Sequence, residues 1–157
     1  MKKIASFEVD HTRLKKGVYV SRVDKLGSEV VTTFDIRMKK PNAELLDIKG
    51  IHTLEHLIAT AVRNDSEFAE KIVYFGPMGC LTGMYMIVHG EMDSQEILPL
   101  LKRAFRFVND YEGEIPGVSE IECGTYELHS LSEAKNEAAA FLEVLENATF
   151  ENLNYPA

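Results

Sequence analysis

A chain of 157 residues, 45% of them hydrophobic, has material for one core and not for two, so a single domain over residues 1–157 is expected. Its 17 Lys and Arg against 25 Asp and Glu leave a net charge of -8, which repels phosphate backbones and argues against nucleic acid as a partner. Met1-Lys2-Lys3 is basic, but Glu8, Asp10 and His11 arrive before any apolar run of signal-peptide length, and no later stretch reaches a membrane span. The expected location is therefore cytoplasmic, with no membrane partner.

In chain order, a short strand is predicted at 18 to 23. A longer one follows, in which Val30, Thr32, Phe34, Ile36 and Met38 alternate with Val31, Thr33, Asp35 and Arg37. That period of two puts Arg37 on the polar or functional face. A helix is expected at about 50 to 64 and a short strand at 72 to 75. The turn-rich stretch Gly76-Pro77-Met78-Gly79-Cys80-Leu81-Thr82-Gly83 then feeds a strand in which Met84, Met86 and Val88 alternate with Tyr85, Ile87 and His89. Helices at 94 to 110, behind the Asp93-x-x-Glu96 capping box, and at 132 to 147, near Ser130-x-x-Glu133, complete the series. Strands and helices in this mixture predict an α+β fold, a small mainly antiparallel sheet packed against helices. No repeat or low-complexity linker divides it.

The helix at 50 to 64 carries His52-Thr53-Leu54-Glu55-His56, an H-x-x-E-H motif. Residues four apart share a helix face, so His52 and His56 can ligate one ion at about 2.0–2.1 Å. Glu55 lies beside them within an arc of roughly 100°, while Leu54, Leu57, Ile58 and Ala61 form the packing side.

Two cysteines in glycine-flanked turns sharpen the reading. A core of this size needs no disulfide, which leaves thiol chemistry or metal ligation. Cys80 lies in a loop whose three glycines permit close backbone approach, and a thiol near a cation there would shuttle protons. Cys123, in Glu122-Cys123-Gly124, reads as the third ligand, its adjacent glycine letting the backbone turn the sulfur toward a metal. Two imidazoles and one thiolate leave a fourth tetrahedral position for water or substrate, a catalytic stoichiometry. Were both cysteines ligands, the site would be a closed structural centre. His11, His89 and His129 have no comparable constellation and read as surface or hydrogen-bonded histidines.

These residues resemble the S-ribosylhomocysteine lyases, the LuxS family. The likeness runs through Ser6-Phe7-Glu8-Val9-Asp10-His11, Phe34-Asp35-Ile36-Arg37, Pro41-Asn42, Gly50-Ile51-His52-Thr53-Leu54-Glu55-His56-Leu57, Gly76 to Gly83, and Glu122-Cys123-Gly124 through His129-Ser130-Leu131. The resemblance implies a homodimer with one divalent metal per subunit, held by His52, His56 and Cys123. It implies Fe(II), with Zn(II) or Co(II) able to substitute. Cys80 and Glu55 would be the proton-transfer groups, and Ser6, His11 and Arg37 would hold polar groups of the substrate in composite sites at the subunit interface. The implied reaction cleaves the thioether of S-ribosylhomocysteine to homocysteine and 4,5-dihydroxy-2,3-pentanedione, the autoinducer-2 precursor. The sequence departs from the family's commonest pattern at Tyr74-Phe75-Gly76, where an acidic residue and Ile-Ser are usual, and at Met38, where Phe is frequent.

Two other readings of the same residues stand beside this one. A hydrolase of the inverted zinc-peptidase type would need a third carboxylate ligand, for which Glu133 and Glu137 lie at plausible distances. A non-enzymatic, zinc-stapled dimer would need no free thiol at the site.

Overall fold

The computed structural model describes residues 1–157. Strands β1 (Gly17–Leu26), β2 (Glu29–Arg37), β3 (Ile72–Pro77) and β4 (Gly83–His89) form one antiparallel sheet in the order β1-β2-β4-β3. The β1–β2 hairpin closes between Leu26 and Glu29, and Gly27 supplies the positive φ of 66° that a tight two-residue loop requires. The alternation in the long strand comes out as the sequence predicts. Thr32, Phe34 and Ile36 face the helices with 0% exposure, and their partners across the ladder, Val88, Met86 and Met84, are equally buried. Burying an apolar side chain of that size contributes about 1.5–3 kcal/mol, so this paired stripe is the floor of the core.

Helix α1 (Ile48–Arg63) starts two residues earlier than the periodicity suggests, because Asp47 caps it: its carboxylate accepts the Lys49 and Gly50 N–H groups at 2.9 Å each. Leu54, Leu57 and Ile58 turn to the sheet side and are fully buried. Helix α2 (Ser94–Asp110) carries the expected capping box, with Asp93 and Glu96 exchanging bonds of 2.8 Å. Helix α3 (Leu131–Glu146) begins behind Ser130 and packs against both α1 and α2. It approaches α1 closely at Gly50, where a Cβ would stand 3.0 Å from that of Glu133. That contact brings the residues ahead of α3 over the exposed side of α1.

A four-residue helix, α4 (Phe150–Leu153), packs under β1. Gly17 is required there, since any side chain would run into the Asn152 main chain, and Asn152 Nδ2 donates to the Lys16 carbonyl at 2.9 Å. Four residues are too few to carry a periodic signal, which is why the sequence pattern did not predict α4. No helix is long and apolar enough to cross a membrane.

Candidate functional site

Helix α1 presents His52 and His56 on the face turned away from the core. Each ring is oriented through Nδ1, which lies 2.7 Å from a main-chain carbonyl, that of Leu128 for His52 and that of Pro116 for His56. A carbonyl only accepts, so Nδ1 carries the hydrogen and Nε2 keeps its lone pair for a metal. Cys123 Sγ stands 3.4 Å from His52 Nε2. The candidate ligand atoms of His52, His56, Cys123 and His129 all fall within 4.8 Å of one another. Imidazole nitrogen with thiolate sulfur suits a borderline-soft divalent ion such as zinc or ferrous iron.

The loop carrying Cys123 is shaped at a different glycine from the one expected. Gly124 has no positive φ and open space where a Cβ would be, so the turn does not require it. Gly117 does the work: its φ is 72°, and a Cβ there would press on His56 Nδ1 at 3.3 Å. Downstream, the Ser119 carbonyl accepts the N–H groups of both Glu122 and Cys123, at 3.1 and 3.0 Å, which fixes the thiol's position.

His129, read from sequence as an ordinary histidine, belongs to the cluster. Its ring stacks on His52 with centroids 3.8 Å apart and meets His56 edge-on at 4.7 Å, and its Nε2 is 3.9 Å from Cys123 Sγ. Burial, then repulsion from His52 and His56, lowers its pKa to about 4, so the ring is neutral at pH 7. Only its place beside the α3 cap could have flagged it. Once α3 crosses α1 at Gly50, whatever precedes Ser130 must lie over Thr53 and His52.

Glu55 is half-buried and borders two cavities. One, of about 690 Å³, opens over His52, His56 and Cys123 and is walled by Tyr74 and Phe75. The other, of about 330 Å³, lies between His52 and the Met78-Gly79 turn beside Cys80. The Tyr74-Phe75-Gly76 departure has a steric logic here, because the phenol of Tyr74 folds over Gly76 and occupies the space a side chain at 76 would take.

Cys80 stays outside the histidine cluster. Its loop is pinned by bonds from Leu81 N to the Met78 carbonyl at 3.0 Å and from Leu46 N to the Leu81 carbonyl at 2.8 Å. The left-handed residue in this turn is Leu81, at φ 60°, not a glycine. Strain of this kind, about 1–3 kcal/mol, is concentrated at functional turns. Gly83 provides the close approach, since a Cβ there would collide with the Ile36 carbonyl. Burial pushes the Cys80 thiol up, but hydrogen bonding from Thr82 and the Arg37 guanidinium outweigh it and bring the thiol below its ordinary value.

Arg37 lies on the face opposite Phe34 and Ile36, as the alternation predicts, but it is only 3% exposed. Its guanidinium grips the Asp35 carboxylate at 3.0 and 2.7 Å, donates to Thr82 Oγ1 at 2.7 Å and stands 3.8 Å from Cys80 Sγ. Behind it, Tyr155 donates to Asp35 at 2.8 Å and stacks on Tyr19 with ring centroids 4.8 Å apart. Ser6, in a single turn at Ala5–Phe7, and His11, whose Nδ1 meets the Val9 carbonyl at 2.9 Å, line neither of the two cavities in their own chain. His89 pairs with Glu29 at the surface. No carboxylate joins the cluster: Glu137 is paired with Lys39 at 2.8 Å, and Glu133 is exposed.

Comparison with known proteins agrees with this arrangement. Residues 4–151 match the family described as S-ribosylhomocysteinase (LuxS). A protein named S-ribosylhomocysteine lyase from Porphyromonas gingivalis is 56% identical over 99% of both chains. Proteins of the same name from Phocaeicola vulgatus and Desulfotalea psychrophila are 54% identical over 99% of this chain and 98% of theirs, and 50% identical over 100% of both. Identity at this level, carried across nearly all of a chain that also gathers three histidines and a cysteine into one cluster, places it firmly: it belongs to the S-ribosylhomocysteinase (LuxS) family.

Proposed function

We propose that the protein is a metal-dependent carbon-sulfur lyase that cleaves S-ribosylhomocysteine to homocysteine and 4,5-dihydroxy-2,3-pentanedione. The observation that carries this reading is a division of labour between two thiols: Cys123 sits among histidines, while Cys80 sits apart, next to a guanidinium. His52, His56 and Cys123 are the ligands, and Fe(II) is the proposed ion. Bound there, a divalent metal supplies Lewis-acid polarisation of the sugar's oxygens.

The chain's own groups move the protons. Cys80, as thiolate, shuttles them between adjacent sugar carbons while the carbonyl migrates from carbon one toward carbon three. Glu55, bordering both cavities, serves the later transfers. In the final step a proton leaves carbon four as the carbon five–sulfur bond breaks, and the electron pair departs on the homocysteine sulfur. Arg37 acts from behind Cys80, held rigid by Asp35.

We further propose a homodimer with composite sites, in the cytoplasm. The side of the sheet away from α1, α2 and α3 carries the half-buried Val31, Thr33, Tyr85 and Ile87, Phe7 and Val73 are exposed elsewhere on the chain, and a twofold partner can cover apolar surface of this kind. Ser6 and His11 then reach the partner's cleft. The hydrolase reading gains no support, because the fourth member of the cluster is His129 and not a carboxylate. The deciding experiment incubates metal-replete protein with S-ribosylhomocysteine while thiol release is followed. Stoichiometric homocysteine is expected, and its absence would sink the proposal.

A further inference from the structure

The third histidine of the cluster is held differently from the other two. His52 and His56 turn Nδ1 to carbonyls, which have no hydrogen to give. His129 Nδ1 instead meets a hydroxyl, Thr53 Oγ1, at 3.0 Å. That oxygen already accepts the Ser130 N–H at 3.0 Å, and Thr53 is fully buried, so its single hydrogen has one acceptor within reach, the His129 ring nitrogen. With Nδ1 accepting, the ring hydrogen sits on Nε2, the atom 3.9 Å from Cys123 Sγ.

We propose that His129 is a positioning residue whose Nε2–H donates a hydrogen bond to the Cys123 thiolate, with Thr53 setting the tautomer, and that it is not a fourth metal ligand. The inference deepens the proposed function and rests on its ligand set of His52, His56 and Cys123. An N–H directed at sulfur draws charge from the thiolate, which shields it from electrophiles and tunes what it gives to the ion. The stacked ring holds His52 in place. A nitrogen that carries hydrogen also leaves the fourth coordination position to the substrate, whereas a bare Nε2 would close the site as three nitrogens and one sulfur.

The test uses Co(II) as the probe, in the wild-type protein and in His129→Ala, His129→Gln, Thr53→Val and His52→Ala. His129→Ala should still bind one Co(II) per chain, with affinity lowered about 10- to 100-fold, the range for an outer partner of a ligand. His52→Ala should lose the ion. The sulfur-to-cobalt charge-transfer band should move to longer wavelength in His129→Ala, since the sulfur lone pair is no longer stabilised by the N–H. It should move the same way in Thr53→Val, which keeps the ring and its packing and so serves if His129→Ala folds poorly. His129→Gln, whose amide presents an N–H, should bring the band part of the way back.

Loss of Co(II) from His129→Ala as complete as that from His52→Ala would make His129 a ligand and overturn the proposal. A folded, loaded His129→Ala or Thr53→Val with an unmoved band would overturn it as well, while leaving the ligand set standing. Failure of the wild-type protein to bind Co(II) would remove both.

Discussion

At the scale of single residues, burial and polar contacts pull the Cys80 thiol in opposite directions. Burial raises its pKa, and Thr82 with Arg37 lowers it further than burial raises it. Thr82→Val removes the hydroxyl and keeps the volume, so the thiol should titrate at higher pH and carry less thiolate at pH 7. Iodoacetamide alkylation followed across pH should show its midpoint displaced upward, and an unmoved midpoint would exclude Thr82 from the thiol's activation. The two cysteines should separate cleanly on substitution: Cys123→Ala loses the metal, whereas Cys80→Ala keeps it and loses turnover by about 10²- to 10⁴-fold, the usual worth of a general acid–base group. Metal analysis beside an activity assay reads both. Glu55→Gln should behave like Cys80→Ala, retaining metal while accumulating a ketose visible by carbonyl NMR.

Among secondary-structure elements, α1 and β3 bear most directly on the site. Asp47→Ala should cost about 1 kcal/mol in urea unfolding, because two N–H groups lose their cap at the start of the helix that carries His52 and His56. At Gly76 the obstacle to a side chain is the far end of Tyr74, which is 44% exposed and free to swing away. Gly76→Ser should therefore change stability little and raise KM, by turning Tyr74 out of the cleft wall. Combined with Tyr74→Asp, it should recover part of the loss, and a double-mutant cycle measures the coupling. These elements were legible in the sequence because their signals are periodic: alternation through Phe34 and Ile36, the heptad-like packing side of α1, the Asp93–Glu96 box. The same holds for His52, His56 and Cys123, whose residue types and spacing carry chemistry by themselves. What escaped has no local signature. His129 joins the cluster only because α3 crosses α1, and Gly117 matters only because His56 lies against it, facts that live in the tertiary arrangement.

For the whole molecule, the telling feature is where His11 lies. It lies outside both cavities of its own chain, so if it serves catalysis it does so in a partner. His11→Ala and Cys80→Ala, each inactive alone, should complement when refolded together. About half of the dimers are then mixed, each with one intact site, and roughly a quarter of wild-type activity should return. Continued inactivity, with mixed dimers confirmed by mass spectrometry, would keep His11 out of the partner's site. The contact between Tyr155 and Asp35, 120 residues apart in sequence, has a further consequence in time. Pairings of such long range are costly to close and form late in folding. The ring of Asp35, Arg37 and Thr82 stays unbraced until α4 has docked beneath β1, and Cys80 should be dull toward electrophiles until then. During refolding, the rate at which that one thiol is alkylated becomes a clock for arrival of the final segment, readable by quenched mass spectrometry without any added label.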